Sequence, residues 1–266
     1  MCHSPQLIAA AFVCVCVSAM TATVSDVFEE TFEQGNAAYS KGRYHEAIAA
    51  YEQLVEARVV DPAVFYNLGN AYYRAGKIGP AIANYERALR WNPGMENARK
   101  NLEVSVQKTE RRLPRPAPAD WERVALFWHH SLSPGTMRSI AFVSWVVLWL
   151  LLAVRLFRRS VYLTRLAAVA GLIAAAFGVS VWIENNGPMY AVAEEPRVPV
   201  RYGTNDDESV RFELYEGDRV LIDGIRRNWV RVVTADGHRG WAKRDAFYFT
   251  GPPYSNADAR RQTAAG

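Results

Sequence analysis

Cysteine is almost absent from this sequence, and its three cysteines all lie at the amino terminus. Cys2, Cys14 and Cys16 fall within the segment MCHSPQLIAAAFVCVCVSAM, in which an apolar stretch is followed by small residues. This pattern is typical of a secretory signal peptide cleaved after Ala19 or Ala22, and an uncleaved anchor is the alternative. A chain cleaved there has no cysteine, which excludes disulfides, thiolate catalysis and cysteine metal sites.

Other signatures of chemistry are also missing. The net charge of +4 is small, and no basic stripe with interleaved aromatic residues points to nucleic acid. The outer segments contain no Ser/His/Asp set, phosphate-binding loop or metal-ligand cluster. His129 and His130 are adjacent, so in a helix they point about 100° apart and make a poor metal pair. We therefore expect no enzyme activity, no cofactor and no metal.

Charge is also absent from two long apolar runs, residues 139–154 and 166–183. Each run is close to the roughly 20 residues that a helix needs to cross a bilayer. Only eleven residues separate them, and two such runs are too apolar for ordinary core helices in a chain of this size. We interpret 139–183 as a two-helix transmembrane hairpin.

The short turn of this hairpin predicts its orientation. Short loops rich in lysine and arginine stay in the cytoplasm, whereas the outer flanks carry only Arg138 and Glu184 near the two runs. We expect a multi-pass protein of the bacterial inner membrane with both terminal domains in the periplasm. The residues that set this topology are Arg155, Arg158, Arg159 and Arg165.

A repeat with a period of 34 residues precedes the hairpin. The segment GNAAYSKGRYHEAIAAYEQL begins at Gly35, and GNAYYRAGKIGPAIANYERAL begins at Gly69. Small residues recur where two antiparallel helices would cross closely, and Tyr51 and Tyr85 recur where a large ring would fill the space between helices. The period and pattern resemble the tetratricopeptide repeat, which predicts helix pairs over 27–108, with a last helix that caps the stack.

The resemblance also suggests a concave binding face. Asn36 and Asn70 match the two asparagines with which some repeats of this family clamp a carboxylate terminus, but Phe32 stands where the clamp has a lysine. Two interpretations remain open, peptide binding and simple packing between helices, because an aromatic row at helical spacing is often core. The candidate partner-binding residues of this face are Phe32, Asn36, Tyr39, Tyr66, Asn70 and Tyr73.

The segment 109–138 is expected to be a linker. Prolines at 114, 116 and 118 predict a stiff, extended spacer. After it, Trp121, Val124, Ala125 and Trp128 would share one face of an interfacial helix, before Pro134-Gly135 turns the chain into the membrane.

The carboxy-terminal segment 187–250 changes period to short strands broken by turns, with Asp236-Gly237 as a strong tight-turn signal. Its landmarks, LYEGDRV and the Gly-Trp pair of DGHRGW, resemble a bacterial SH3-type domain, which implies a small five-stranded barrel. Trp229 and Trp241 are expected to serve more as core than as site, because a domain this small needs its largest side chains for packing. The alternative is an aromatic groove for a peptide or cell wall, formed by Tyr202, Tyr215, Trp229 and Trp241.

The order of the parts is similar to that of the BatE-like proteins, the tetratricopeptide branch of the Bat (Bacteroides aerotolerance) family. The resemblance covers 28–249. It implies a scaffold for protein partners, among them membrane proteins with von Willebrand factor A domains and a MoxR-type ATPase system, in envelope stress tolerance or assembly. The alternative is a sensor or anchor whose SH3-type domain binds peptidoglycan.

The predicted fold class is therefore multidomain. It combines an all-α repeat domain, a transmembrane hairpin and a small all-β barrel. The expected boundaries are 1–22 for the signal peptide, 27–108 for the repeats, 109–138 for the linker, 139–183 for the hairpin, 187–250 for the barrel and 251–266 for a disordered tail.

Overall fold

The computed structural model describes residues 27–116, 127–158, 160–186 and 189–251. The predicted signal peptide, nearly all of the predicted tail and Arg159 lie outside these ranges. So do Trp121, Val124 and Ala125 of the predicted interfacial face.

The amino-terminal part is helical, as the repeat pattern predicts. Asp61 caps the third helix by accepting a bond from the Ala63 amide at 2.6 Å, and Pro62 occupies the first helical position. Gly42 and Gly76 have φ of +73° and +80° in the turns within the two helix pairs, a conformation that favours glycine. The helices are α1 (27–40), α2 (Tyr44–Glu56), α3 (Pro62–Arg74), α4 (Ile78–Trp91) and α5 (Glu96–Gln107).

Both helix pairs use the same close contact. A Cβ added to Gly35 would lie 2.5 Å from the Tyr51 ring, and one added to Gly69 would lie 2.8 Å from the Tyr85 ring. Both tyrosines are almost fully buried. The 34-residue spacing therefore reflects one packing arrangement used twice.

Three further helices follow: α6 (Phe127–Ser131), α7 (Pro134–Phe157) and α8 (Val161–Asn186). The two longer ones are long and apolar enough to cross a membrane, and they expose most of their apolar side chains. Pro134 does not form the expected turn. It is the first residue of α7, because Ser133 caps the helix by accepting a bond from the Thr136 amide at 3.2 Å.

The carboxy-terminal part is an antiparallel sheet of seven strands in the order β3-β2-β6-β5-β4-β1-β7. The predicted five-stranded barrel is not confirmed: among the described residues no pairing joins β3 to β7, and the sheet is open. The strands are β1 (Met189–Ala193), β2 (Arg197–Arg201), β3 (Val210–Tyr215), β4 (Arg219–Arg226), β5 (Trp229–Val233), β6 (Arg239–Lys243) and β7 (Phe247–Phe249).

Candidate functional site

The predicted concave face is built around an asparagine network. Asn36 Oδ1 accepts hydrogen bonds from the Tyr51 hydroxyl at 2.7 Å and from Asn67 Nδ2 at 3.1 Å. Its own Nδ2 donates to Glu33 at 3.2 Å. The side chain thus joins α1 to both α2 and α3.

The second repeat has the same network one period later. Asn70 Oδ1 accepts bonds from the Tyr85 hydroxyl and from Asn101 Nδ2, both at 2.8 Å. Asn67 and Asn101 are the members that the sequence interpretation missed, although they also lie 34 residues apart. The side-chain oxygens of Asn36 and Asn70 are therefore occupied by structural bonds.

Part of the predicted aromatic row also packs inside the repeats. Phe32 stacks on Phe28 at 5.8 Å between ring centroids and contacts Tyr51 at 5.9 Å. Tyr66 contacts Tyr85 at 6.2 Å. These contacts agree with the packing interpretation for Phe32 and Tyr66.

The other two aromatic residues of the row meet cations. The Lys108 ammonium lies 4.2 Å from the Tyr73 ring centroid. One period earlier, Tyr39 lies beside the Arg74 guanidinium and raises the pKa of Arg74. The two half-buried tyrosines lie on α1 and α3, and each is thus paired with a basic residue at the end of the next helix of the concave face, α3 or α5.

Burial keeps the tyrosines of the network protonated. Desolvation raises the pKa of Tyr51 to about 12 and raises that of Tyr85 in the same direction. Each phenol therefore remains a hydrogen-bond donor to its asparagine well into the alkaline pH range.

The sheet packs directly against α4, a contact that the sequence did not predict. Gly79 allows it: an added Cβ would lie 2.3 Å from the Ala193 carbonyl oxygen. The Gly79 amide donates to Glu216 Oε1 at 3.0 Å. Because glycine has no side chain, α4 can approach the end of β1 closely at this position.

Arg87 is the centre of this contact and is completely buried. Its Nε donates to the Phe249 carbonyl oxygen at 2.9 Å, and its Nη1 donates to Asn84 Oδ1 at 3.2 Å. The guanidinium also lies over the rings of Tyr248 at 4.5 Å and Phe65 at 5.8 Å. Hydrogen bonds and ring faces from both domains thus compensate the burial of one charge.

Ion pairs surround the buried arginine. Glu86 faces Arg219 at 3.6 Å, and Arg90 pairs with Glu184 at 2.7 Å. The partners on α4 come from the repeats, whereas Arg219 begins β4 and Glu184 lies near the end of α8. Helix α4 therefore connects the repeats, the sheet and the second apolar helix.

The described part of the predicted linker, 109–116, bends at residues 109–111 and contacts the sheet. Arg111 pairs with the buried Asp218, and Leu113 accepts a bond from Arg219 at 2.7 Å. Arg115 lies 4.0 Å from the Tyr190 ring centroid. This segment runs along the sheet rather than separating it from the repeats.

Trp128 of the predicted interfacial segment contacts α8. Its Nε1 donates to Ser180 Oγ at 2.9 Å, and its ring lies 6.2 Å from that of Phe177. Helix α6 is thereby held against the second apolar helix.

The expectation that Trp229 and Trp241 form the core of the sheet is wrong. Both are half-exposed on its outer side, because the inward positions of β5 and β6 are taken by Val230, Val232 and Ala242. Phe247 and Phe249 of β7 supply the buried rings instead.

The four aromatic residues of the proposed sheet groove do not contact one another in the described part of the chain. Each ring lies near a cation: Tyr202 near Arg211, Tyr215 near Arg111 and Arg197, Trp229 near Lys243, and Trp241 near Arg226 and Arg231.

Within the described ranges, no three His, Cys, Asp or Glu side chains form a group that could hold a metal ion.

These geometric features define a protein built in part on helical repeats. Residues 32–96 match the tetratricopeptide repeat family. Such repeats suggest a scaffold for protein–protein interaction, and the family is generally a non-enzymatic module. No curated protein matches the chain.

Proposed function

We propose that this chain is a non-enzymatic scaffold of the bacterial inner membrane whose repeats bind a segment of a protein partner outside the cytoplasm. The observation that carries the proposal is the Lys108 ammonium, 4.2 Å from the ring centroid of the half-buried Tyr73. The equivalent residues one repeat earlier, Tyr39 and Arg74, also lie beside each other. This arrangement offers ring faces and positive charge together. It fits a partner segment that carries carboxylates.

Asn70 adds a directional group to this face. Its Oδ1 is occupied, but no described residue accepts a bond from its Nδ2. That amide lies on the same helix as Tyr73, one turn away. A backbone carbonyl or carboxylate of the partner would complete its hydrogen bonding.

The docking of the sheet onto the repeats supports the proposed topology. The two domains flank α7 and α8 in the sequence, yet Arg87 binds Phe249 directly. This contact supports a topology in which both flanks lie on one side of the membrane. The arginine-rich turn, which includes Arg155, Arg158 and Arg165, favours the outer side for both flanks.

The finer proposal concerns the partners. The order of repeats, apolar hairpin and small β-domain is similar to that of BatE-like proteins. We therefore propose membrane proteins with von Willebrand factor A domains, working with a MoxR-type ATPase system, as the first partners to test.

A photo-crosslinking amino acid at Tyr73 tests the binding face, with the exposed Gln53 of α2 as the matched control position. In intact cells we expect a discrete crosslinked partner from position 73 and none from position 53. A Lys108→Glu change should weaken the crosslink from position 73, because it reverses the charge beside the ring. Equal products from both positions, or no effect of the charge reversal, would contradict the proposed groove.

Membrane topology is measured separately, so that the two parts of the proposal can fail independently. Cys2, Cys14 and Cys16 are replaced by serine, and single cysteines are placed at Asp236 in the sheet and at Ser160 between α7 and α8. An impermeant thiol reagent should label position 236 in intact cells and position 160 only after lysis. The reverse pattern would refute the proposed orientation.

A further inference from the structure

Helix α4 relates the sheet to the ends of the two apolar helices. At its first turn, Gly79 contacts Ala193 at the end of β1. At its last turn, Arg90 binds Glu184 of α8, and Trp91 lies 5.9 Å from the Arg138 guanidinium of α7. These two levels are eleven residues apart on the helix, or about 16 Å.

Strand β1 therefore leads away from the apolar helices, with Met189 near them and Ala193 far from them. Strand β4 is antiparallel to it, and the register pairs Val192 with Arg219 and Met189 with Ile222. Beyond Ile222, β4 continues back toward the level of the apolar helices. The β4–β5 register shifts between Ile222 and Gly224, and the four residues after Ile222 bring β4 to its end at Arg226, at most about 13 Å further along the strand.

The segment that ends this path is the hairpin between β4 and β5, residues 224–229, which we call the β4–β5 tip. Its sequence is GIRRNW. Ile225 is 47% exposed, and Arg226, Arg227 and Asn228 are also exposed. The tip thus presents an apolar side chain and two cations in the direction of the membrane.

The charge of the tip is not neutralised within the described part of the chain. No described carboxylate pairs with Arg226 or Arg227, and the nearest acidic residue in the sequence, Asp223, is bound to Arg231 at 2.6 Å. In the neighbouring strand, Lys243 lies opposite Trp229, with its ammonium 6.0 Å from the Trp229 ring centroid. Lys243 itself pairs with Asp206 at 3.0 Å, so the positive charge at this end of the sheet that lacks a described acidic partner is that of Arg226 and Arg227.

We propose that the β4–β5 tip docks on the outer surface of the same bilayer and binds the phosphates of anionic phospholipids. The inference rests on the proposed function, because it requires α7 and α8 to span that bilayer. An exposed isoleucine, a half-exposed tryptophan and exposed arginines that have no described carboxylate partner suit the boundary between acyl chains and headgroups. Near an anionic surface each arginine adds to the attraction. The consequence is a repeat domain held at a fixed angle to the membrane.

The experiment uses the full chain, with its natural cysteines replaced by serine, reconstituted into phosphatidylcholine vesicles with or without phosphatidylglycerol. A bimane fluorophore is attached at Asn228→Cys in the tip, or at Asp236→Cys in the hairpin at the other end of β5. A phosphatidylcholine spin-labelled on its headgroup serves as quencher. We expect strong quenching at position 228, little at position 236, and more at 228 when phosphatidylglycerol is present.

Two charge-matched variants test the role of the arginines. R226E/R227E should lower the ratio of docked to undocked tip about tenfold or more, since each arginine contributes to surface binding. R197E/R211E makes the same change in charge, but these two exposed arginines lie on β2 and β3, which β5 and β6 separate from β4. This second variant should leave the quenching at position 228 unchanged.

The outcomes separate the inference from the proposed function. A chain that fails to float with the vesicles would overturn the membrane assignment and the inference together. A chain that floats but is quenched equally at positions 228 and 236, or equally with and without phosphatidylglycerol, would overturn the inference alone. One further result would overturn the inference alone. If the reconstituted chain sediments with purified peptidoglycan, and R226E/R227E abolishes this sedimentation but leaves the quenching unchanged, the tip is a cell-wall site.

Discussion

The Arg87 guanidinium donates from both Nε and Nη2 to the carbonyl oxygen of Phe249, which lies 162 residues later in the chain. One residue comes from the second repeat and the other from the last strand of the sheet. This pair is the most direct link between the two outer domains. Its energetic importance can be measured.

Replacing Arg87 by methionine should destabilise the junction between repeats and sheet. Methionine retains the apolar stem but leaves the Phe249 carbonyl without its donor, which costs about 2–3 kcal/mol. Chemical unfolding of the detergent-held chain measures this loss, and hydrogen exchange should become faster at 247–249. Arg43→Met removes an exposed ion pair with Glu46 and should change stability by less than about 0.5 kcal/mol. Equal effects of the two variants would refute the assigned role of Arg87.

Replacing Gly79 by alanine tests the close approach of α4 to β1. Alanine is the better helix former, so helix propensity alone predicts stabilisation. The added Cβ would lie 2.3 Å from the Ala193 carbonyl oxygen. We therefore expect a loss of about 1–3 kcal/mol from overpacking.

The control for this glycine is Gly178 in α8, where an added Cβ meets nothing within 4 Å. Thermal unfolding measures both variants, and Gly178→Ala should be neutral or stabilising. Stabilisation by Gly79→Ala would show that the sheet does not sit on α4 as described.

Replacing Asn36 or Asn70 by alanine should lower stability by similar amounts. Each substitution removes the acceptor of two hydrogen bonds. Each variant should therefore lose about 1–2 kcal/mol of unfolding free energy. Thermal unfolding measures this, with the exposed Asn97→Ala as control. If Asn70→Ala weakens partner capture and leaves stability at the level of the Asn97 control, the asparagine is a binding residue rather than part of the framework.

Alkaline pH should destabilise the repeats. The pKa of Tyr51 is about 12 in the folded chain, above its ordinary value of 10, because burial disfavours the phenolate. The folded state therefore keeps the proton more tightly than the unfolded state. The stabilisation that this tighter proton binding gives the folded state is complete below pH 10 and is lost as the pH rises from 10 to about 12.

Unfolding by denaturant between pH 9 and about 12 measures this loss. Tyr51→Phe should reduce the pH dependence without removing it, because burial also raises the pKa values of Tyr72 and Tyr85. A pH dependence that is the same in Tyr51→Phe and in the parent chain would contradict this account.

Local patterns explain which parts of the fold were predictable. The helix pairs follow from the recurrence of Gly35 and Gly69 opposite Tyr51 and Tyr85, since a ring can fill the space only where the side chain is missing. The two apolar helices follow from length and composition. The same spacing could also have identified Asn67 and Asn101, whose role depends only on the repeat.

Contacts between distant segments were not predictable in this way. Arg87 lies on an otherwise ordinary repeat helix, and its burial depends on a strand that follows 162 residues later. Trp229 and Trp241 were expected inside because they are large, but strand alternation places them outward while valine and alanine fill the core. Size alone does not determine which face of a strand is buried.

The position of α4 at the centre of the molecule also affects how the chain is made. A ribosome completes the repeats long before it reaches β7, and both apolar helices are synthesised in between. During that interval the side of α4 around Gly79 and Arg87 has no sheet to cover it. The nascent repeats therefore expose an aggregation-prone helix face until synthesis is nearly finished. A chain truncated before 247 would retain that exposure permanently.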